Sequence, residues 1–227
     1  MAKKRDTIPD PDASYEKAFR PIAIELGFLL KDWNDLQEIL LLLFNSIAGF
    51  QEGKMASAIW HSVNNDRLQR KMLLRATSAV CEDVGASWRG APTDPAFKKH
   101  LYKEVEWICK RADELGSQRD DAAHSPLAAS VSERGSITYD AFRLSGHPRA
   151  TNLAGKKLLK ELKLYRDRAD VLFAYVHEWL HFGSSGFSGP WPQTPEWPNH
   201  PPAKVGKNRR RAATPKARAR RLRSSRA

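Results

Sequence analysis

The sequence predicts an all-α protein, a four-helix bundle with a small irregular or hairpin insertion and a disordered basic C-terminal tail. Three observations carry this expectation. Apolar residues recur at steps of three and four along four segments, glycines interrupt the stretch between the last two, and proline and arginine dominate the remainder of the chain. The first helix is expected from about Phe19 to Ile47, with Phe19, Ile22, Leu26, Leu29, Trp33, Leu36, Leu40, Leu43 and Ile47 on one face and Gly49 as its stop. The second begins near Asp66, where Asp66 and Gln69 have capping-box spacing, and its stripe is read as Leu68, Met72, Ala76, Ala79 and Val80. The third starts at Asp94-Pro95, an N-cap followed by a first-turn proline, runs through Phe97, Leu101, Val105, Ile108, Ala112 and Leu115, and is closed by Pro126. Residues 130–150 hold Gly135 and Gly146 with short alternating pieces such as Ile137 and Tyr139, which fits a hairpin or an irregular excursion. The fourth helix carries Leu158, Leu162, Tyr165, Ala169, Leu172, Val176 and Leu180, with Gly183 as its stop.

The chain therefore divides into a flexible N-terminus (1–14), one helical domain (15–182) and a tail (183–227). Charge follows the same division. Of 38 Lys and Arg and 26 Asp and Glu, the tail holds 11 basic residues and only Glu196 of the acids, a net +10 that leaves +2 for residues 1–182. Such a tail is an electrostatic footprint for a polyanion, and Arg209, Arg210, Arg211, Arg218, Arg220 and Arg221 are its candidate nucleic-acid contacts. No aromatic residues interleave with them, so they imply contact with phosphates rather than stacking on bases. Trp191 and Trp197, among the prolines, could dock into a partner's groove. Cys81 and Cys109 fall inside helical patterns and are expected as reduced core residues. The first 12 residues are charged and contain two prolines, and the longest apolar run, residues 39–44, is too short to span a bilayer, so a cytoplasmic setting without membrane contact is expected.

One more turn beyond Leu115 the third helix's stripe lands on Arg119, where periodicity asks for an apolar side chain. An arginine there must have its charge paired or solvated. Asp120 comes next, and His124 lies four residues beyond Asp120, one helical turn on. The segment Arg119-Asp120-Asp121-Ala122-Ala123-His124 resembles the Arg-polar-x-x-x-His signature of the HEPN superfamily, at the end of the third long helix of four. That resemblance implies metal-independent RNA cleavage, with no cofactor, in a homodimer whose two motifs face one cleft. It also implies a toxin or phage-defence setting, with a cognate inhibitor protein as a possible partner. The residue after the arginine is often Asn in that family and is Asp120 here. The chemistry suits the residue types. Histidine, which titrates near neutral pH, can take the 2′-hydroxyl proton or protonate the leaving oxygen, and arginine can hold the phosphate as charge develops. Asp120 is a candidate to orient the His124 imidazole. The alternatives are an inactive HEPN-like module that binds RNA or protein, and a plain surface cluster at a fraying helix end.

A competing motif, His177-Glu178-Trp179-Leu180-His181, has the zinc-protease spacing in which two histidines one turn apart bind the metal and the glutamate activates water. Its surroundings supply no third ligand, since Ser184 and Phe187 stand where a longer form of the motif would place Gly and His. A zinc-dependent hydrolase is accordingly the lesser expectation.

Overall fold

A computed structural model describes residues 11–50, 53–82, 88, 91–142 and 147–199. Four long helices form its frame: α1 (Pro11–Ala48), α3 (Asp66–Glu82), α4 (Pro95–His124) and α6 (Leu158–Ser184), with the short α2 (Gly53–His61) and α5 (Pro148–Leu153) between them. Between α4 and α5 an antiparallel hairpin, β1 (Leu127–Val131) and β2 (Ile137–Ala141), pairs Leu127 with Ala141 and Val131 with Ile137. The all-α expectation with a small hairpin insertion therefore holds, and α2 and α5 are additions to it. Both are shorter than the stretch of about 11–18 residues over which an apolar period is read. Ala56 and Trp60 are the residues α2 buries, and α5 buries Ala150 and Leu153.

Side-chain pairings fix the helix directions. Arg166 reaches Glu25 and Asp32 while Leu180 and Gly183 share a cleft with Asn45 and Gly49, so α1 and α6 run the same way. Along α4, Trp107 meets Tyr175 and His100 meets Trp179, so α4 opposes α6. It opposes α3 as well, because Arg119 pairs with Asp66 and Cys81 with the Lys98 carbonyl. Three helices thus point one way and α4 the other.

Periodicity locates the core on three of the four helices. Leu29, Leu36, Leu40 and Leu43 of α1, Ile108, Ala112 and Leu115 of α4, and Leu172 and Val176 of α6 are wholly buried. On α3 the expected stripe holds in part: Met72, Ala76 and Val80 pack against the core, but the buried face lies beside them. Leu68 is half exposed, and the buried positions are Gln69, Arg70, Leu73 and Thr77. A hydrophobic pattern does not reveal this face because three of those four are polar, each with a specific partner. Gln69 donates to the carbonyls of Trp60 and Val63 at 3.0 Å, tying α2 to α3, and Thr77 bonds back to the Leu73 carbonyl. The cap is also one residue earlier than expected. Asn65 accepts the Leu68 N–H at 3.1 Å, which leaves Asp66 free to pair elsewhere. The Asp94-Pro95 start of α4 is as expected, with the Asp94 carboxylate accepting the Ala96 N–H at 3.0 Å.

Two glycines mark close approaches. A Cβ on Gly116 of α4 would stand 2.9 Å from the Trp33 ring of α1, and one on Gly183 would stand 2.5 Å from Trp88. Gly183 is therefore not the stop of α6, contrary to the sequence expectation. The helix ends at Ser184 with Gly186 at φ 70° and the Phe187 N–H bonded to the Phe182 carbonyl at 3.0 Å. Gly116→Val is expected to overpack the α1–α4 contact, cost about 2–3 kcal/mol, and lower the melting temperature by roughly 5 °C or more in a thermal denaturation measured against wild type.

The expected domain end at 182 requires correction. Residues 187–199, which composition assigns to the tail, lie as an extended strap in the groove between α4 and α6. Phe187 meets Phe97, and Trp191 stacks on His100 at 4.3 Å. Thr194 donates to the buried Glu104 at 2.9 Å, where Tyr175 also donates at 2.7 Å. Trp197 is buried between Arg111 and Arg168, and Arg168 donates to the Pro198 carbonyl at 2.9 Å. Proline-rich composition points to disorder, but large aromatics at 187, 191 and 197 supply apolar area that offsets ordering an extended chain. Trp197 is thus buried in its own domain, and Trp191 packs on that domain through His100 while staying partly exposed. Residues 200–227, including Arg209, Arg210, Arg211, Arg218, Arg220 and Arg221, lie outside the described residues, as do residues 1–10.

Candidate functional site

Residues 113–120 of α4, residues 64 and 65, and the start of α3 enclose a polar cleft of about 280 Å³, lined by Asn64, Asn65, Asp66, Arg70, Asp113, Arg119 and Asp120 among others. Two of its arginines lie over the buried Trp33 of α1, Arg119 at 4.9 Å and Arg70 at 5.6 Å from the ring centre. This explains the arginine on a core stripe. Arg119 continues the packing face by covering an indole, while its nitrogens reach the cleft.

The two arginines are held differently. Arg70, 4% exposed, grips Asp113 through Nε and Nη2, both 2.7 Å from Oδ1. Arg119 donates from Nη2 to Asp66 Oδ2 at 2.9 Å, and its Nη1 stands 3.3 Å from Asp120 Oδ1. Arg70 Nη1 and Arg119 Nε make no hydrogen bond within the described residues. Asp120 also faces α5, where Arg149 Nη1 is 3.4 Å from its Oδ2, and the neighbouring Asp121 accepts from Asn152 at 2.7 Å. The tandem aspartates thus latch α5 to α4.

Of the sequence's candidate trio, Arg119 and Asp120 come together in the cleft. His124 stands apart, exposed in the last turn of α4 and without a hydrogen bond to Asp120. The expected orientation of its imidazole by Asp120 is replaced by the pairing of Asp120 with two arginines. No family model matches the sequence, and no curated protein and no solved structure matches it either.

Sequence reasoning missed Arg70, Arg149 and Trp33 as neighbours of the motif. Arg70 had a signal: it lies three and seven residues before Leu73 and Thr77, on the face that α3 buries. Arg149 had none, since the hairpin and α5 decide where it falls.

The alternative pair is placed elsewhere. His177, Glu178 and His181 are exposed on α6 and border an open cleft of about 590 Å³ with Trp191 and Pro192 of the strap. Among the described residues no three His, Cys, Asp or Glu side chains converge as a metal site, so the two histidines would need a ligand from outside them. Both cysteines are free thiols. Cys109 is buried, and burial pushes its thiol up to about 12, which makes it an inert core residue. No helix among the described residues is long and apolar enough to cross a membrane.

Proposed function

We propose that this protein is a HEPN-like, metal-independent endoribonuclease that holds an RNA phosphate at the α3–α4 cleft and moves a proton with His124. The observation that carries this reading is Arg119 on Trp33, an arginine fixed in direction by a buried indole and open on one side to a cleft. A guanidinium held this way meets phosphate oxygens without first being ordered, which is what stabilises charge developing in a transition state. His124 is exposed and unpaired among the described residues, so its ring can meet a substrate or a second copy of the chain. One Arg and one His are few groups for a complete site, and two copies about a two-fold axis would double them. Attack of the 2′-oxygen on phosphorus displaces the 5′-oxygen, leaving a 2′,3′-cyclic phosphate and a 5′-hydroxyl. His124 would take the first proton or supply the second.

A binding module without cleavage is the second reading. It is favoured by the ion pairs of Arg119 with Asp66 and Asp120, which already use two of its nitrogens. Incubating purified protein with labelled RNA in the presence of EDTA distinguishes the two. Cleavage products ending in cyclic phosphate, with a matching DNA strand left intact, are expected. Intact RNA that nevertheless shifts with the protein would select the binding module, and activity lost to EDTA would return the zinc reading.

A further inference from the structure

The Asp120 carboxylate lies between two guanidinium groups that come from different elements, one oxygen toward each: Oδ1 is 3.3 Å from Arg119 of α4 and Oδ2 is 3.4 Å from Arg149 of α5. We infer that Arg149 is a second phosphate-holding residue, and that Asp120 occupies between the two arginines the place an RNA phosphodiester takes when it binds. This rests on the RNA-directed reading above and adds to it a residue and the manner of entry.

The neighbouring Arg70–Asp113 pair gives the contrast. In that pair a buried arginine donates from Nε to Asp113 Oδ1 at 2.7 Å, with Nη2 equally close to the same oxygen, a short charged contact that suits a structural tie. The Asp120 contacts are looser. Both exceed the usual length of a charged N–H···O bond, and Arg149 Nη1 and Arg119 Nε complete no hydrogen bond within the described residues. The side chains of Arg119, Asp120 and Arg149 are 22%, 37% and 39% exposed, while Arg149 Nη1 and Arg119 Nε themselves lie buried without a hydrogen-bond partner among the described residues. A phosphodiester presents two non-bridging oxygens that share one negative charge, the same charge as a carboxylate and a similar bite. It therefore suits donors already separated to fit Asp120. Entry requires Asp120 to turn aside, since two anions cannot share the position. The tie of α5 to α4 does not depend on this pair, because Asn152 holds Asp121 at 2.7 Å independently.

The test is binding of the full chain to a fully 2′-O-methylated RNA dodecamer, which cannot be cut, monitored by fluorescence anisotropy across a series of salt concentrations. Arg149→Ala is expected to raise Kd about three- to tenfold and to reduce the slope of log Kd against log salt by roughly 0.7, the loss of one phosphate contact. Arg149→Lys should restore the slope. Asp120→Asn should tighten binding, because it keeps the shape and removes the competing charge. Arg134→Ala in the hairpin turn serves as a charge-matched control, and melting curves verify that each variant is folded. An Arg149→Ala protein with wild-type Kd and slope, or an Asp120→Asn protein that binds more weakly, would make the Asp120–Arg149 contact a purely structural tie and overturn the inference while the RNA-directed reading stood. A wild-type chain that does not bind the dodecamer at all would overturn both.

Discussion

His124→Ala is expected to reduce RNA cleavage by about a hundredfold or more, and Arg119→Ala to do the same, with both variants still folded. Each loss removes an interaction that strengthens as charge moves, so it falls on the rate. The His124 side chain is exposed and bonds to nothing among the described residues, so its truncation disturbs no packing. Arg119 differs, because it also covers Trp33 and pairs with Asp66. Its replacement by Ala should lower the melting temperature by a few degrees, and Arg119→Lys, which keeps charge but not the planar fork, separates the two roles. The double variant His177→Ala with His181→Ala should keep full activity, with and without EDTA, since those side chains lie on α6 by the strap and away from the cleft. Single-turnover rates on one labelled RNA measure all of this. Full activity in His124→Ala would end the case for proton transfer by that residue.

Truncation should separate two proline-containing parts of the C-terminal region. A chain ending at Asn199 is expected to melt within about 2 °C of the full protein. It should bind RNA more weakly and with a shallower salt dependence, because it loses only residues 200–227, with their 11 basic side chains and no acidic ones. A chain ending at Ser184 loses the strap as well. That exposes the groove under Trp197, strips Trp191 from His100, and leaves buried Glu104 without its Thr194 partner. Removing one well-packed tryptophan typically costs about 3–5 kcal/mol, and at roughly 2–4 °C per kcal/mol the melting temperature should fall by about 10 °C or more. Equal melting of the two truncated chains would show the strap to be dispensable.

How much of the fold is legible in the sequence depends on which interactions have a period. The stripes of α1, α4 and α6 are legible because one apolar residue per turn faces one core, and Leu29, Ile108 and Leu172 are all fully buried. On α3 the same logic holds only in part, since Gln69, Arg70 and Thr77 are buried through named polar partners that carry no hydrophobic signal. The strap escapes it for the opposite reason. Its aromatics are spaced for an extended chain against a preformed groove, and no local rule distinguishes that from an unstructured linker. At the candidate site Arg119 announces itself by breaking a stripe, and its neighbour Asp120 comes with it. Arg149 lies 29 residues further along the chain than Asp120 and reaches it only because the hairpin and α5 fold back on α4.

The strap also decides where the basic residues are tethered. It leaves the end of α6 beside Phe97, near the start of α4, and tracks α4 past His100, Glu104 and Arg111 before Arg168 fastens Pro198. The point of attachment of residues 200–227 is thereby carried along the bundle to within 13 residues of His124 on the same helix, about 20 Å at 1.5 Å per residue. If the proposed RNA-directed reading holds, this would make the tail and the α3–α4 cleft a linked pair with a high effective concentration of one at the other, so that a strand held by the arginines after 200 would repeatedly sample the cleft before it escaped. Lengthening the attachment, with a neutral insertion after Asn199, would dilute that encounter without changing a single contact.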